Sequence, residues 1–496
     1  MIETTKQFII EVQRQSKAPV FSPIYNYCQK ALQELNRPLR IAISGMIKTG
    51  KSTLLNAFLE RDIVPTAVEV MTYNVNWFHH IKYSPDGTEC FIVHYLNGDN
   101  KQYPLNEIAS FVGYSAERQE LIDSIHYVDA YIDNPLLERF DLIDTPGLNS
   151  LLGTDSQHTK DLLTKDENRP DAIIYLISGE FQSRDLEDVF AFNQSTGLLS
   201  GINSIAAITR VDEMENYYKT AQDIIDTNKE RYAEIRYNFS DIYAIAALPA
   251  LAAVYLTDKE ILMLKELSSQ NDVATLLSTR EYFARSTWQD SETRKSLLKQ
   301  LSIEGIRLVT NYFVEHPLDS VCACRTYLTD FSKVKHLQQM VVGRFGERSD
   351  FYKSNIAISG LRKVCNTLVR NVQIVGSNRQ QLQHIQMMIN QYELVLHQQY
   401  ADYYLLNDYY NQETYFDEDD WERIKCLLGE NGKEDYQCLG LPSTATSEQI
   451  VLQYEAELAY WKKKANLALV MNNHTRHQSA KQIIDIITNK LNNHKS

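Results

Sequence analysis

The sequence predicts an α/β phosphate-loop head with a mostly parallel sheet and helices on both faces. An all-α helical stalk or bundle and a small C-terminal helical domain should follow it. Three observations carry this expectation. Gly45-Met46-Ile47-Lys48-Thr49-Gly50-Lys51-Ser52 fits the phosphate-binding pattern G-x-x-x-x-G-K-[ST]. Strand-like and helix-like stretches alternate from Leu39 to about Leu256, as in a parallel sheet with crossover helices. Beyond that point Pro317 and Pro442 are the only prolines, and long segments rich in Leu, Val, Lys and Gln take over.

The expected strands are Leu39–Ser44, Asn74–Lys82, Cys90–Tyr95, His126–Asp133, Phe140–Asp144, Ala172–Ser178, Ser204–Thr209 and Asp241–Ala246. Helical patterns follow several of them, including Ser183–Asn193 and Glu213–Ile235. A helix over Thr4–Lys17 opens the chain, with Phe8, Ile9 and Val12 on one side. Further long helices are expected within Asp319–Gln339 and Ser354–Tyr400. Tyr392, Tyr400, Tyr403, Tyr404, Tyr409 and Tyr410 are read as packing inside the bundle. The implied domains are 1–36, an N-terminal helix joining the bundle; 37–256, the head; 257–412, the helical stalk; 413–433, an acidic linker; and 434–496, a small helical unit.

Bulk properties narrow the function. With 496 residues, 44% of them apolar and 23% charged, the chain can bury a large core across several domains. A net charge of -14 argues against nucleic acid as a partner, because that needs a basic face. It leaves room for a local basic patch that meets anionic lipid. Seven scattered cysteines without metal-ligand spacing point to reduced thiols in a cytoplasmic protein. The start, Met1-Ile2-Glu3-Thr4-Thr5-Lys6, lacks the pattern of a signal peptide. The longest apolar run, Ala244 to Leu256, is too short to span a bilayer. Any membrane role is therefore expected to be peripheral.

The phosphate loop supplies the first half of a site. Gly45, Lys48, Thr49, Gly50, Lys51, Ser52 and Thr53 are candidate nucleotide-binding residues. Backbone N–H groups at a helix start attract phosphate oxygens, Lys51 reaches the β- and γ-phosphates, and the Ser52 hydroxyl coordinates Mg²⁺. A phosphate-bridging metal also needs a carboxylate at the end of a neighbouring strand. Phe140-Asp141-Leu142-Ile143-Asp144-Thr145-Pro146-Gly147 offers Asp144 for that purpose, and the Gly147 N–H as a γ-phosphate sensor. Choosing guanine needs an acceptor for its N1–H and N2–H₂. Thr209-Arg210-Val211-Asp212 at the end of a strand supplies Asp212. A site built on that carboxylate should reject ATP by ~10³-fold or more. A backbone N–H near Ala246 would complete the base contact. A hydroxyl for the metal and the attacking water is sought between Val64 and Thr72, where Thr66 and Thr72 compete.

Gly45–Ser52 with Thr53-Leu54-Leu55-Asn56-Ala57, then Val64-Pro65, Thr72, Asp144-Thr145-Pro146-Gly147-Leu148 and Thr209-Arg210-Val211-Asp212, resembles a bacterial dynamin-like large GTPase. The resemblance covers roughly residues 39–256. It implies that Thr72 is the switch threonine and that an apolar residue, Leu148, follows the Asp-x-x-Gly. It also implies hydrolysis of GTP completed by pairing of two heads rather than by a separate activating protein. Arg210 stands where lysine is usual. Ile47 and Lys48 replace the glutamine and serine that aid catalysis in eukaryotic dynamins, which implies slow or differently assisted turnover.

The tail from Glu434 through Leu439-Gly440-Leu441-Pro442 to Ile450 and Tyr454 resembles the opening of a J-domain. Thr446 or Ser447 should cap its second helix, and Gln478–Leu491 should form the third. No His-Pro-Asp occurs; Lys462-Lys463-Lys464 stands near its expected place, so chaperone stimulation should be absent and a docking role for a protein partner remains. The implied function is a Mg²⁺-dependent GTPase that self-associates through its heads and works in membrane-associated assembly or remodelling, peripheral on the inner face of a membrane. The other reading is a soluble regulatory switch or scaffold that recruits partners through its helical and J-like parts.

Overall fold

The structure is a computed structural model and describes residues 2–46, 48–65, 75–112, 119–145, 170–179, 181, 182, 187, 201–232, 235–370, 374–410, 416–430, 432 and 434–495. It divides into two compact units. One contains Asn36–Leu198 and Asn203–Lys353; the other contains Met1–Leu35, Leu199–Ile202 and Ser354–Ser496.

The first unit is built on a nine-stranded sheet of order β4-β3-β5-β2-β6-β1-β7-β8-β9. Its strands are β1 Leu39–Gly45, β2 Val75–His80, β3 Cys90–Tyr95, β4 Asn100–Pro104, β5 Ile125–Ile132, β6 Phe140–Asp144, β7 Ala172–Ile177, β8 Ser204–Ile208 and β9 Asp241–Ala244. β1 lies between β6 and β7, parallel to both, and is almost wholly buried. Burial on both faces is why β1, β6, β7 and β8 read as continuous apolar runs rather than alternating ones. β2 runs antiparallel to β6, and β3 pairs antiparallel with β4 and β5, so the sheet is mixed at one side. The eight expected strands all form, two with the expected bounds and the others with an end shifted by one or two residues.

β4 was not expected. Asn100-Lys101-Gln102-Tyr103-Pro104 is mostly exposed and lacks a buried face, so no period-2 pattern marks it. It is an edge strand carrying lysine and ending in proline, which discourages further pairing. The one local signal is Asn97-Gly98, with Gly98 at φ 89°, in the turn that joins it to β3.

The helix expected over Glu213–Ile235 spans Tyr218–Arg231. Most of the expected Ser183–Asn193 helix lies outside the described residues. Asp319–Gln339 forms two helices, Val321–Ser332 and Val334–Val341, broken at Lys333 with φ 56°. These helices, with Asp258–Ser268 and Ser291–Glu315, belong to the same compact unit as the sheet, although the sequence placed residues from 257 onward in a stalk. Their apolar residues, including Leu264, Leu297, Leu301, Phe313 and Leu328, form one core with Ala252 and Leu256 of the helix Ala247–Tyr255.

The second unit is helical: Ile2–Gln15, Glu347–Val369 from residue 354 onward, Ser377–Gln399, Ala401–Tyr410, Glu418–Leu427, Ser447–Val470 and His474–Lys495 are its main helices beside Ser22–Asn36, whose last residue falls to the other unit. Thr5 joins three of them: its hydroxyl meets that of Ser354 at 2.8 Å and accepts from the Tyr392 hydroxyl at 3.0 Å. Phe8 stacks on Tyr392 with ring centroids 4.1 Å apart. Tyr392, Tyr400, Tyr409 and Tyr410 are buried; Tyr403 and Tyr404 are half-buried.

The stretch read as an acidic linker contains a helix instead. Asp417 caps Glu418–Leu427, and Asp420 is fully buried. The Asp420 carboxylate accepts from Tyr460 at 2.6 Å, Lys464 at 2.8 Å and Arg476 at 3.0 Å. This helix is thereby fixed to the two that follow it. Lys464 is a structural ion-pair partner, whereas Lys462 and Lys463 are exposed. Replacing Asp420 with alanine should cost about 3 kcal/mol, because both cations lose their buried counter-charge and keep only the more exposed Asp417. Urea unfolding of the full chain measures it; a loss below about 1 kcal/mol would show that the pair is solvated. Thr446 caps Ser447–Val470 with a capping box to Gln449. That helix runs through the three lysines and ends at Val470, so the turn to the next helix lies at Met471–Asn473 rather than at Lys462–Lys464.

Candidate functional site

The site forms where β1 ends. Gly45 has φ 140°, and a Cβ there would stand 2.4 Å from the Leu176 carbonyl oxygen of β7. Only glycine permits that approach of the loop to the neighbouring strand. Gly50, at φ 92°, turns the chain into the helix Lys51–Leu59 as its N-cap and brings no side-chain cap. The helix start therefore carries the positive end of its dipole toward the loop, a setting that favours an anion.

Lys51 is 8% exposed, and its ammonium donates to the Gly45 carbonyl at 3.1 Å and the Met46 carbonyl at 2.9 Å. Burial pulls its pKa down, and the negative charge of Asp144 opposes that shift. Asp144 is fully buried at the end of β6, beside Ile43 of β1. Ser52 and Thr53 follow Lys51 in the first helical turn, both half-buried. Among the described residues no group of three or more His, Cys, Asp or Glu could hold a metal by itself. Ile47, Thr66, Thr72, Gly147 and Leu148 lie outside the described residues.

The second half of the site is bonded to the first. Thr209 donates its hydroxyl to the Thr49 carbonyl at 2.8 Å, and Arg210 reaches the Lys48 carbonyl at 2.8 Å. Lys48 and Arg210 both hold positive φ, at 65° and 58°. So the segment read as guanine-selecting clasps the phosphate loop through two carbonyls, across 160 residues of sequence or more. Arg210 keeps its charge half-exposed and pairs loosely with Glu213 at 3.4 Å.

Asp212 is 4% exposed. Burial, with Glu213 and Glu304 nearby, pushes its carboxyl up to about 7 against the pull of its own backbone N–H. Among the described residues that N–H is the one hydrogen-bond donor to it. It borders an open cavity of about 700 Å³ with Glu213, Tyr217, Glu304 and Arg307. A buried carboxylate without a side-chain donor is costly unless a ligand supplies donors.

Ala246 does not fit its expected role. Its N–H donates to the Ser332 carbonyl at 2.9 Å and is committed there. The helix Ala247–Tyr255 starts one residue later. A lone apolar segment carries no mark of which amide is already bonded elsewhere in the chain.

Asn56 was quoted only as part of a motif, yet it carries a clear task. Its amide donates to the Val64 carbonyl at 2.7 Å and to Asp62 at 3.0 Å, and its oxygen accepts from the Ile63 and Val64 N–H groups at 3.1 and 2.9 Å. A fully buried asparagine thus moors the segment that leads into residues 66–74. The available signal was an asparagine on an otherwise apolar helix face. Asn56→Ala should destabilise the head by about 2 kcal/mol through the backbone groups it orphans. Guanidinium unfolding without nucleotide checks this, and a neutral result would mean that water replaces the amide.

Residues 41–189 match the model of the Dynamin family. The isoniazid-induced protein IniC of Mycobacterium tuberculosis is 26% identical over 350 residues, covering 67% of this chain and 68% of that protein. Dynamin-like protein 2 of Campylobacter jejuni is 29% identical over 192 residues, covering 38% of this chain and 28% of its own. A solved structure of an oligomerised bacterial dynamin pair aligns with 99% of this chain and 90% of its own at 15% identity, with a TM-score of 0.36, too low to add weight.

Proposed function

We propose that this chain, whose residues 41–189 match the Dynamin family model, is a dynamin-like GTPase that hydrolyses GTP to GDP and phosphate with Mg²⁺, is activated when two heads pair, and works in assembly or remodelling at a membrane surface. The observation that carries the catalytic part is the clasp between the two half-sites: Thr209 and Arg210 hold the phosphate loop while Asp212 lies buried beside it without a side-chain donor. A single ligand with phosphates at one end and paired N–H donors at the other satisfies both halves. Guanosine nucleotides have that form.

In this reading Lys51 neutralises charge that builds on the β- and γ-phosphate oxygens, and the first-turn amides hold the phosphates in place. Ser52, Thr72 and, through water, Asp144 would hold Mg²⁺, which when bound spreads the phosphate charge. The Gly147 N–H senses the γ-phosphate. Asp212 accepts both guanine donors. Head pairing and the membrane setting rest on the resemblance to bacterial dynamin-like GTPases, and the J-like tail serves as a docking module. Phosphate release from GTP and from ATP, each with Mg²⁺ and with chelator, tests the chemistry. Release from GTP with Mg²⁺ alone is expected; equal release from ATP would contradict the role given to Asp212.

A further inference from the structure

The helices Ser447–Val470 and His474–Lys495 form a hairpin whose turn, Met471–Asn473, holds Asn472 at φ 55°. At its tip four large apolar side chains face solvent: Leu467 at 48%, Leu469 at 51%, Val470 at 80% and Met471 at 67% exposure. Ala468 between them is buried, so the helix still packs while its last turn offers apolar groups outward. Such a cluster at the extremity of an element, rather than in a groove, has no packing reason within the chain.

Within the hairpin's own sequence the charge around the tip is one-sided, although Asp417 of the preceding helix cap pairs with Lys464 and Arg476. From Leu458 to Ile484 there is no Asp or Glu, while Lys462, Lys463, Lys464, Arg476 and Lys481 are present, in a chain of net charge -14. Lys464 and Arg476 are bound to Asp420. Lys462, Lys463 and Lys481 are exposed. At a rise of about 1.5 Å per residue, Lys462 and Lys463 stand about 11 Å back from Val470 on one helix, and Lys481 about 10 Å from the start of the other. An apolar element resting in a bilayer interface reaches roughly 5–10 Å into the headgroup and acyl boundary. With the tip inserted to that depth, the three lysines lie level with lipid phosphates.

We propose that this hairpin tip is the chain's contact with anionic bilayers: Leu467, Leu469, Val470 and Met471 enter the interface while Lys462, Lys463 and Lys481 bind the phosphates. The proposal rests on the reading that the protein works at a membrane, and it names the place of contact. Among the described residues no helix is long and apolar enough to cross a bilayer, so the contact is shallow.

Co-sedimentation of the full chain with vesicles tests it, using phosphatidylcholine alone and phosphatidylcholine with about a third phosphatidylglycerol. The unaltered chain should bind the anionic vesicles. Val470→Asp with Met471→Asp should lower partitioning at least about tenfold. Lys462→Gln with Lys463→Gln should lower it about fivefold per lysine and remove the preference for anionic lipid. Leu452→Asp, exposed near the other end of the same helix, should leave binding unchanged, and all variants should keep basal GTP turnover and the helical circular dichroism of the parent. If the tip variant sediments like the parent, the tip assignment fails while membrane action stands. If the unaltered chain binds neither vesicle, both fail. If the tip substitutions change the oligomeric state in the absence of lipid, the tip is a protein interface and the proposal is overturned.

Discussion

Lys51→Ala is expected to lower GTP turnover by about 10²–10³-fold or more, to the background of the assay. The ammonium is buried at the loop, held by the Gly45 and Met46 carbonyls and within the field of Asp144. Those carbonyls hold the amine where phosphate oxygens would come, and no other described side chain of the loop places a buried cation there. Lys51→Arg should also fail, because a wide planar guanidinium cannot occupy the place of a compact amine. Stability should change little, since burial already disfavours the charged amine that the substitution removes. Phosphate release and the melting temperature, measured together, separate the two effects. Turnover retained in either variant would mean that the site has been placed wrongly.

The second large effect concerns base choice. Asp212→Asn should weaken GDP binding by about 10³-fold, because an amide presents a donor to a donor. It should bind xanthosine diphosphate instead, whose 2-carbonyl accepts where guanine's amino group donates. The unaltered protein should show a matching pH dependence. Guanine needs the ionised carboxylate, and burial holds the empty site's carboxyl up at about 7. Affinity for GDP is then full above that pH and is lost as pH falls through it, with Kd rising about tenfold per pH unit toward pH 5. In the asparagine variant this slope should vanish. A fluorescent GDP titration from pH 5 to 8.5 reads both; a flat profile in the unaltered protein would remove Asp212 from the base site.

Much of the head was legible in the sequence because parallel strands buried on both faces are short apolar runs that stand out from their surroundings. Asp144 could be singled out because it is a polar residue at the end of such a run, and Asp212 because it follows another by four residues. β4 was missed because an exposed edge strand has no buried face to impose a pattern. The extent of the helical units was harder to see. Residues 258–341 look like stalk by composition, yet their apolar faces are complementary to the helix Ala247–Tyr255, a match of shapes that no local pattern records. The acidic stretch after Tyr415 read as a linker because charge runs are usually solvated. Its Asp420 is buried, but the lysine and arginine that make burial tolerable stand 44 and 56 residues away. The Ala246 amide was hard to read for a related reason: its acceptor, the Ser332 carbonyl, is distant in the chain.

The most direct test of the account is GTP turnover per molecule as a function of protein concentration, with and without anionic vesicles. Pairing of heads predicts a specific rate that rises with concentration and saturates, and rises further when vesicles gather the protein on a surface. The Lys51→Ala variant supplies the baseline. A specific rate that stays flat over about a hundredfold range of concentration, unchanged by vesicles, would contradict activation by head pairing.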